Sequence, residues 1–204
     1  MVEFITSLAD LEALYGTPKP ASTRKVVDHI TPEYRAWINA SPFCTLATVG
    51  STGADASPRG DEGQVAFELD PKTLAVPDRR GNDRIDSLRN IVEDGRVALM
   101  FLTPGSGTVI RVNGRAVVTS DADLLERFTV HGKPPRSVIL VHIEEVYFQC
   151  ARAVMRAGIW DVDKWPDLST LPSVGQILSS VTDGEVGGAD YDAEWADRAK
   201  KTMW

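Results

Sequence analysis

The sequence predicts a mainly β fold, a small antiparallel β-barrel with peripheral helices. Three observations carry this expectation. Short runs rich in apolar or β-forming residues (Phe43–Val49, Gln64–Leu69, Thr73–Val76) follow one another closely. A parallel crossover needs roughly a dozen or more residues, so this spacing favours hairpins. An almost wholly apolar run, Arg96–Thr103, is then followed by two long strand patterns, Thr108–Ser120 and Ser137–Gln149. Six or seven strands in mostly sequential pairing shed their sticky edges by closing into a barrel.

Each element has its own signal. Ser7 and Asp10 form a capping pair ahead of Leu8, Leu11 and Leu14, and Gly16 with Pro18 stops that helix. Thr31-Pro32 opens a second helix, because threonine caps well and proline suits the first turn. Tyr34, Trp37 and Ile38 are its predicted buried stripe. Gly50-Ser51-Thr52-Gly53, Ser57-Pro58-Arg59-Gly60 and Asp70-Pro71 read as turns between the short strands. Ile85, Leu88, Ile91 and Val92 fall at helical spacing, and Asp94-Gly95 ends that helix.

Arg96–Thr103 reads as a central strand buried on both faces, and Pro104-Gly105-Ser106-Gly107 turns the chain. In the next strand Ile110, Val112, Gly114 and Ala116 share one side, with Val109, Arg111, Asn113 and Arg115 on the other. Helices are expected over Asp121–Val130, near Ser173–Ser180 and over Asp192–Trp204. No internal repeat or low-complexity segment interrupts the chain.

The 204 residues suit one domain: a helical segment over 1–40, a barrel core over 41–160, and loops and helices over 161–204. A chain of this length buries enough surface to fold without staples. With 22 Lys+Arg against 29 Asp+Glu the net charge is −7, which argues against a protein that coats nucleic acid. Cys44 and Cys150 cannot build a disulfide framework, and His29, His131 and His142 lack metal-ligand spacing, so no metal site is expected. The N-terminus shows no basic region leading into an apolar stretch, and no run approaches the ~18 apolar residues of a membrane span. A cytoplasmic protein is the expectation.

Chemistry is expected first in Val76-Pro77-Asp78-Arg79-Arg80-Gly81-Asn82-Asp83-Arg84, where three arginines precede a helix predicted to start near Asp83. Helix N-termini offer free N–H groups to an anion, arginine adds forked donors matched to phosphate, and Asn82 is a good cap. A solvated loop whose arginines pair with Asp78, Asp83 and Asp86 would look the same. Ser57-Pro58-Arg59-Gly60-Asp61 and Thr108–Arg111 are further candidates, each with an equally plain reading as a turn or a strand edge. Nucleophile elbows, P-loops and dinucleotide fingerprints are absent. Cys44 reads as a buried small hydrophobe, and Glu144 and Glu145 point to opposite faces of their strand.

Taken in order, the 57–61, 73–84 and 87–91 segments, with Val97–Phe101, Pro104-Gly105 and Arg111-Val112-Asn113-Gly114-Arg115-Ala116, resemble one known family. It is the pyridoxamine 5′-phosphate oxidase-related FMN-binding split-barrel family, in particular a bacterial branch grouped by FMN dependence without a defined substrate. The resemblance spans about Ser41 to Trp160. It implies a split-barrel homodimer with two FMN sites between subunits, and an FMN-dependent oxidoreductase with an unknown small-molecule substrate or reductant.

Carried over by position, Asn82 and Arg84 match residues that hold the FMN phosphate, and Arg59 one that helps at the phosphate or ribityl chain. Val76, Asp78 and Arg79 match the strand end beside the flavin. Thr108, Val109 and Arg111 match a strand start that contacts the flavin from the partner subunit. Arg156 and Trp160 match positions that close over the ring. Two departures, Gly63-Gln64 for a Gly-aromatic pair and Gln149-Cys150-Ala151-Arg152 for a His-Cys-x-Lys pattern, lie on the substrate side. Tyr191–Trp204 lacks the basic motif for a substrate phosphate, so pyridoxamine-phosphate oxidation is not expected. The alternatives are a non-catalytic flavin sensor or carrier, or the same barrel holding a deazaflavin or a haem ligated by His131 or His142.

Overall fold

Helices come first along the chain. The computed structural model describes residues 2–203, so Met1 and the predicted helix end at Trp204 lie outside the described residues. Leu8–Tyr15 (α1) starts at Ser7, whose hydroxyl accepts from the Asp10 N–H at 3.1 Å. Its leucines do not make a core face: no residue of α1 is buried. After a short turn of helix, Pro20–Thr23 (α2), the chain enters Pro32–Asn39 (α3). Thr31 caps α3, Ile38 is buried, and Tyr34 and Trp37 pack against the core as the periodicity predicts.

The strands are Phe43–Gly50 (β1), Gly53–Gly60 (β2), Phe67–Asp70 (β3) and Thr73–Asp78 (β4). Asp86–Glu93 (α4) separates them from Arg96–Leu102 (β5) and Val109–Thr119 (β6), and Ala122–Arg127 (α5) precedes Ser137–Gln149 (β7). All seven form one antiparallel sheet in the order β2-β1-β5-β6-β7-β4-β3. Arg152–Ala157 (α6), Val174–Val181 (α7) and Gly188–Thr202 (α8) follow. Ser173 and Gln176 make a reciprocal capping box for α7. Among the described residues, no helix is long and apolar enough to cross a membrane.

Three strand expectations are corrected. Ser57-Pro58-Arg59-Gly60 is not a turn but the second half of β2, paired with β1 from Phe43↔Gly60 to Gly50↔Gly53. Proline is tolerated there because β2 is an edge strand and Pro58 sacrifices no ladder on its open side. The strand placed at Gln64–Leu69 starts only at Phe67. Finally, β5 is central but buried on one face only: Val97, Leu99 and Phe101 point inward while Met100 is 38% exposed.

The inner face joins Cys44, Leu46, Leu99, Phe101, Ile110, Val112, Val141 and Ile143 into the main core. Each such aliphatic or aromatic side chain stabilises the fold by about 1.5–3 kcal/mol. A bulge between Asn113 and Gly114 bends β6 against β7. A Cβ at Gly114 would lie 2.0 Å from the His142 carbonyl oxygen, so only glycine fits that approach. The sheet curls but hydrogen bonds do not close it: β2 and β3 remain its edges.

Candidate functional site

The gap in the barrel follows from the inner face of β2. Cross-strand partners share a face, so Arg59, Ser57 and Asp55 stand beside Cys44, Leu46 and Thr48 of β1. Where a closed barrel would need apolar side chains, β2 offers a guanidinium, a hydroxyl and a carboxylate. Across this seam lies the end of β4. Arg59 Nη1 donates to Asp78 Oδ1, and Arg79 Nε donates to Asp61 Oδ2 at 2.7 Å. The second pair is 12% and 4% exposed, so both charges are largely withdrawn from water.

A cavity of about 760 Å³ occupies the seam. Its lining runs from Asp55–Asp61 through Pro77–Leu88 and includes Arg136 and Ser137. Two polar atoms there are buried without a hydrogen-bond partner, Arg59 Nε and Ser137 Oγ. An unmet buried donor costs about 1–3 kcal/mol, which a ligand oxygen would return. The start of α4 also faces this space. Its N-cap, Ile85, supplies no side-chain hydrogen bond, which leaves first-turn N–H groups without a cap.

The approach to that helix is strained. Asp83 and Ile85 have φ of 62° and 54°, a region costly for a β-branched residue. The helix therefore begins at Asp86, three residues later than expected, and Asn82 is not its cap. Instead Asn82 Oδ1 accepts from the Arg84 N–H at 3.2 Å. Ser87 Oγ donates to Asp55 Oδ2 at 2.9 Å, tying α4 to β2. Outside, Arg84 pairs with Asp86 at 2.8 Å and Arg136 with Asp83 at 2.7 Å, and these arginines are 74% and 62% exposed. Both readings of the loop thus hold at once: its arginines are paired, and they rim a cavity.

Of the predicted site residues, Arg59, Asp78, Arg79, Asn82 and Arg84 line the cavity. Val76 does not; it is buried in the core. Thr108, Val109, Arg111, Arg156 and Trp160 are outside the lining as well. Trp160 instead donates through Nε1 to the Ser106 carbonyl at 2.7 Å, beside the start of β6. Val109 and Arg111 share the outer face of the sheet with Leu102 and Met100, and α6, which carries Arg156, begins beside Ala151, which abuts Gly107.

Sequence reasoning missed Ser57, Ser87, Arg136 and Ser137. Ser137 reaches the site only because the β4–β7 register sets it opposite Asp78, a pairing with no local signal. Cys44 is inert as predicted: burial pushes its thiol up to about 12, against a smaller opposing pull from Arg59.

Fold and cavity together define an open antiparallel barrel with an arginine-rimmed anion cavity at its seam. The family model of pyridoxamine 5′-phosphate oxidase matches residues 30–150. The chain belongs to that family, in the broad sense of pyridoxamine 5′-phosphate oxidase-related split-barrel proteins.

Among solved structures, HupZ of Group A Streptococcus is 19% identical, with a TM-score of 0.50 over 59% of this chain and 94% of its own. A candidate pyridoxamine 5′-phosphate oxidase of Lactobacillus delbrueckii is 26% identical, with a TM-score of 0.47 over 59% of this chain and 95% of its own. General stress protein 26 of Bacillus anthracis is 17% identical, with a TM-score of 0.42 over 56% and 88%. No curated protein matches the sequence.

Proposed function

We propose that the protein is an FMN-binding oxidoreductase that holds the FMN phosphate in the seam cavity and works as a homodimer. The observation that carries this reading is the pair of buried, unpartnered donors, Arg59 Nε and Ser137 Oγ, in the lining of an arginine-rimmed cavity. A phosphate dianion supplies acceptors for both, and for the uncapped start of α4. Family membership makes FMN the natural source of that phosphate, and the residues present fit it.

Their roles divide by burial. Arg59 and Arg79 stay on Asp78 and Asp61 and fix the walls. Arg84 and Arg136, paired only with exposed carboxylates, exchange those partners for the phosphate at little cost. Bound FMN would supply hydride and electron transfer, leaving the chain to bind, orient and exclude water. Thr108, Val109, Arg111, Arg156 and Trp160 serve the site of the second subunit in this reading.

The outer face of β1 and β5 supports a dimer there: Phe43, Ala47, Ala98, Met100 and Leu102 present it, and Phe43 and Met100 are exposed. We read the chain as one split-barrel domain. Two free thiols, Cys44 and Cys150, suit a reducing cytoplasm.

The test is an absorbance spectrum of purified protein before and after FMN addition and desalting. Flavin bands at about one FMN per chain are the expected result for such a site. A desalted protein that retains no flavin, or retains only a deazaflavin or haem, overturns the assignment. A retained flavin that no reductant reduces makes the protein a carrier or sensor.

A further inference from the structure

A second cavity, of about 1060 Å³, lies against the first. The two share Gly60, Asp61 and residues 79–83 as a common wall. The opposite wall is α8. Tyr191, Trp195, Arg198, Ala199 and Thr202 line it, at spacings that put them on one face of the helix. The other side of α8 is fastened elsewhere: Asp192 accepts from the Gly175 N–H at 2.8 Å and from the Ser173 hydroxyl. α8 is thereby held on α7, with its aromatic face turned to the 79–83 loop.

The charges of this cavity mostly cancel. Asp61 is paired with Arg79, Asp83 with Arg136, and Glu62 with His131. Two guanidinium groups remain, one on each wall. Among the described residues Arg80 makes no ion pair, and Arg198 reaches only Glu194, at 3.7 Å. Nη2 of Arg198 is buried with no hydrogen-bond partner. The Arg198 guanidinium carbon stands 4.3 Å from the Tyr191 ring centroid and 5.6 Å from that of Trp195. The compartment therefore combines flat apolar walls with positive charge that no protein carboxylate balances. Arginine against aromatic faces accepts a further ring by stacking, and its spare donors take an anionic oxygen.

We infer that the compartment between α8 and the 79–83 loop binds a planar aromatic anion, a flat ring system carrying a carboxylate or phosphate, separately from the seam cavity. Binding here does not rest on the flavin reading, although the shared wall would place such a molecule beside whatever the seam holds.

Calorimetric titration of the full chain with 2-naphthoate and with 2-naphthyl phosphate tests this, with 2-naphthalenemethanol as the uncharged ring and cyclohexanecarboxylate as the non-planar anion. At least one aromatic anion should saturate, and the two controls should bind roughly tenfold or more weakly. Arg198→Gln should lower affinity by about tenfold or more while leaving FMN retention as in the wild type. Ala199→Trp, which fills the cavity without touching Arg198, should abolish binding, with circular dichroism confirming that both variants are folded.

Equal binding of the anions and the controls, no saturation, or an unchanged affinity in both variants would overturn the inference. So would FMN excluding the probe together with loss of FMN by Arg198→Gln, since the compartment would then belong to the flavin ring. Failure of FMN retention with intact naphthoate binding would reject the flavin reading and leave this one standing.

Discussion

Replacing Arg59 with methionine tests the seam most directly, because one side chain there serves both stability and binding. Arg59 and Asp78 are 18% and 14% exposed and join β2 to β4, strands that share no ladder. At an effective dielectric of about 20, charges roughly 4 Å apart attract by about 4 kcal/mol. Removing one partner of a buried pair typically costs about 3–5 kcal/mol, because the other charge is left stranded.

Arg59→Met also removes the unmet Nε donor, which returns part of that loss. The expected net destabilisation is about 2–4 kcal/mol, which lowers the urea midpoint by roughly 1–2 M. Arg59→Met combined with Asp78→Leu should recover to within about 1 kcal/mol of the wild type, since a buried ion pair replaced by apolar groups is close to neutral. Urea unfolding followed by circular dichroism reads both variants. A single variant within about 0.5 kcal/mol of the wild type would refute the claim that this pair holds the seam.

Two further outcomes follow from packing and burial. Gly114→Ala drives a methyl group to 2.0 Å from the His142 carbonyl oxygen and should cost about 2–4 kcal/mol in thermal unfolding. Gly81→Ala, with open space around it, should stay within about 0.5 kcal/mol, and equal effects of the two would refute the close approach. In thiol titration the native protein should react at Cys150 alone, with Cys44 appearing only in denaturant, because Cys150 is exposed and Cys44 is buried with its thiol near 12. That raised value means the folded state keeps its proton longer than the unfolded state. The stability from Cys44 is therefore complete below the ordinary thiol range and falls as pH rises toward about 12, a slope that Cys44→Ala should remove.

Much of this fold was legible because its signals are local. The α3 cap at Thr31-Pro32, the alternation along β6 and the capping box of α7 each sit within a few residues and survive into the structure. β2 was misread because Ser-Pro-Arg-Gly is turn chemistry, and only its position at a sheet edge makes proline harmless there. The one-sided burial of β5 was hidden by its apolar run, since an outward Met100 looks like a core residue until the register is known. The site divides the same way. The arginine loop announced itself, but Ser137 and Arg136 join it through strand pairing across most of the chain. The delayed start of α4 depends on two positive φ angles that no propensity foretells.

The ion pairs around the seam explain how a cavity with this much positive charge can exist before an anion enters it. Unpaired, the arginines of the seam would repel one another across a space partly withdrawn from water. Each of Arg59, Arg79, Arg84 and Arg136 is instead held by its own aspartate. The buried pairs fix wall geometry, since swapping them would strand a charge at several kcal/mol. The exposed pairs are nearly neutral in energy and so are free to exchange. Anion affinity then comes from what no aspartate satisfies: Arg59 Nε, Ser137 Oγ and the bare start of α4. A site built this way discriminates by geometry rather than by net charge, which is how an acidic protein can hold a phosphate.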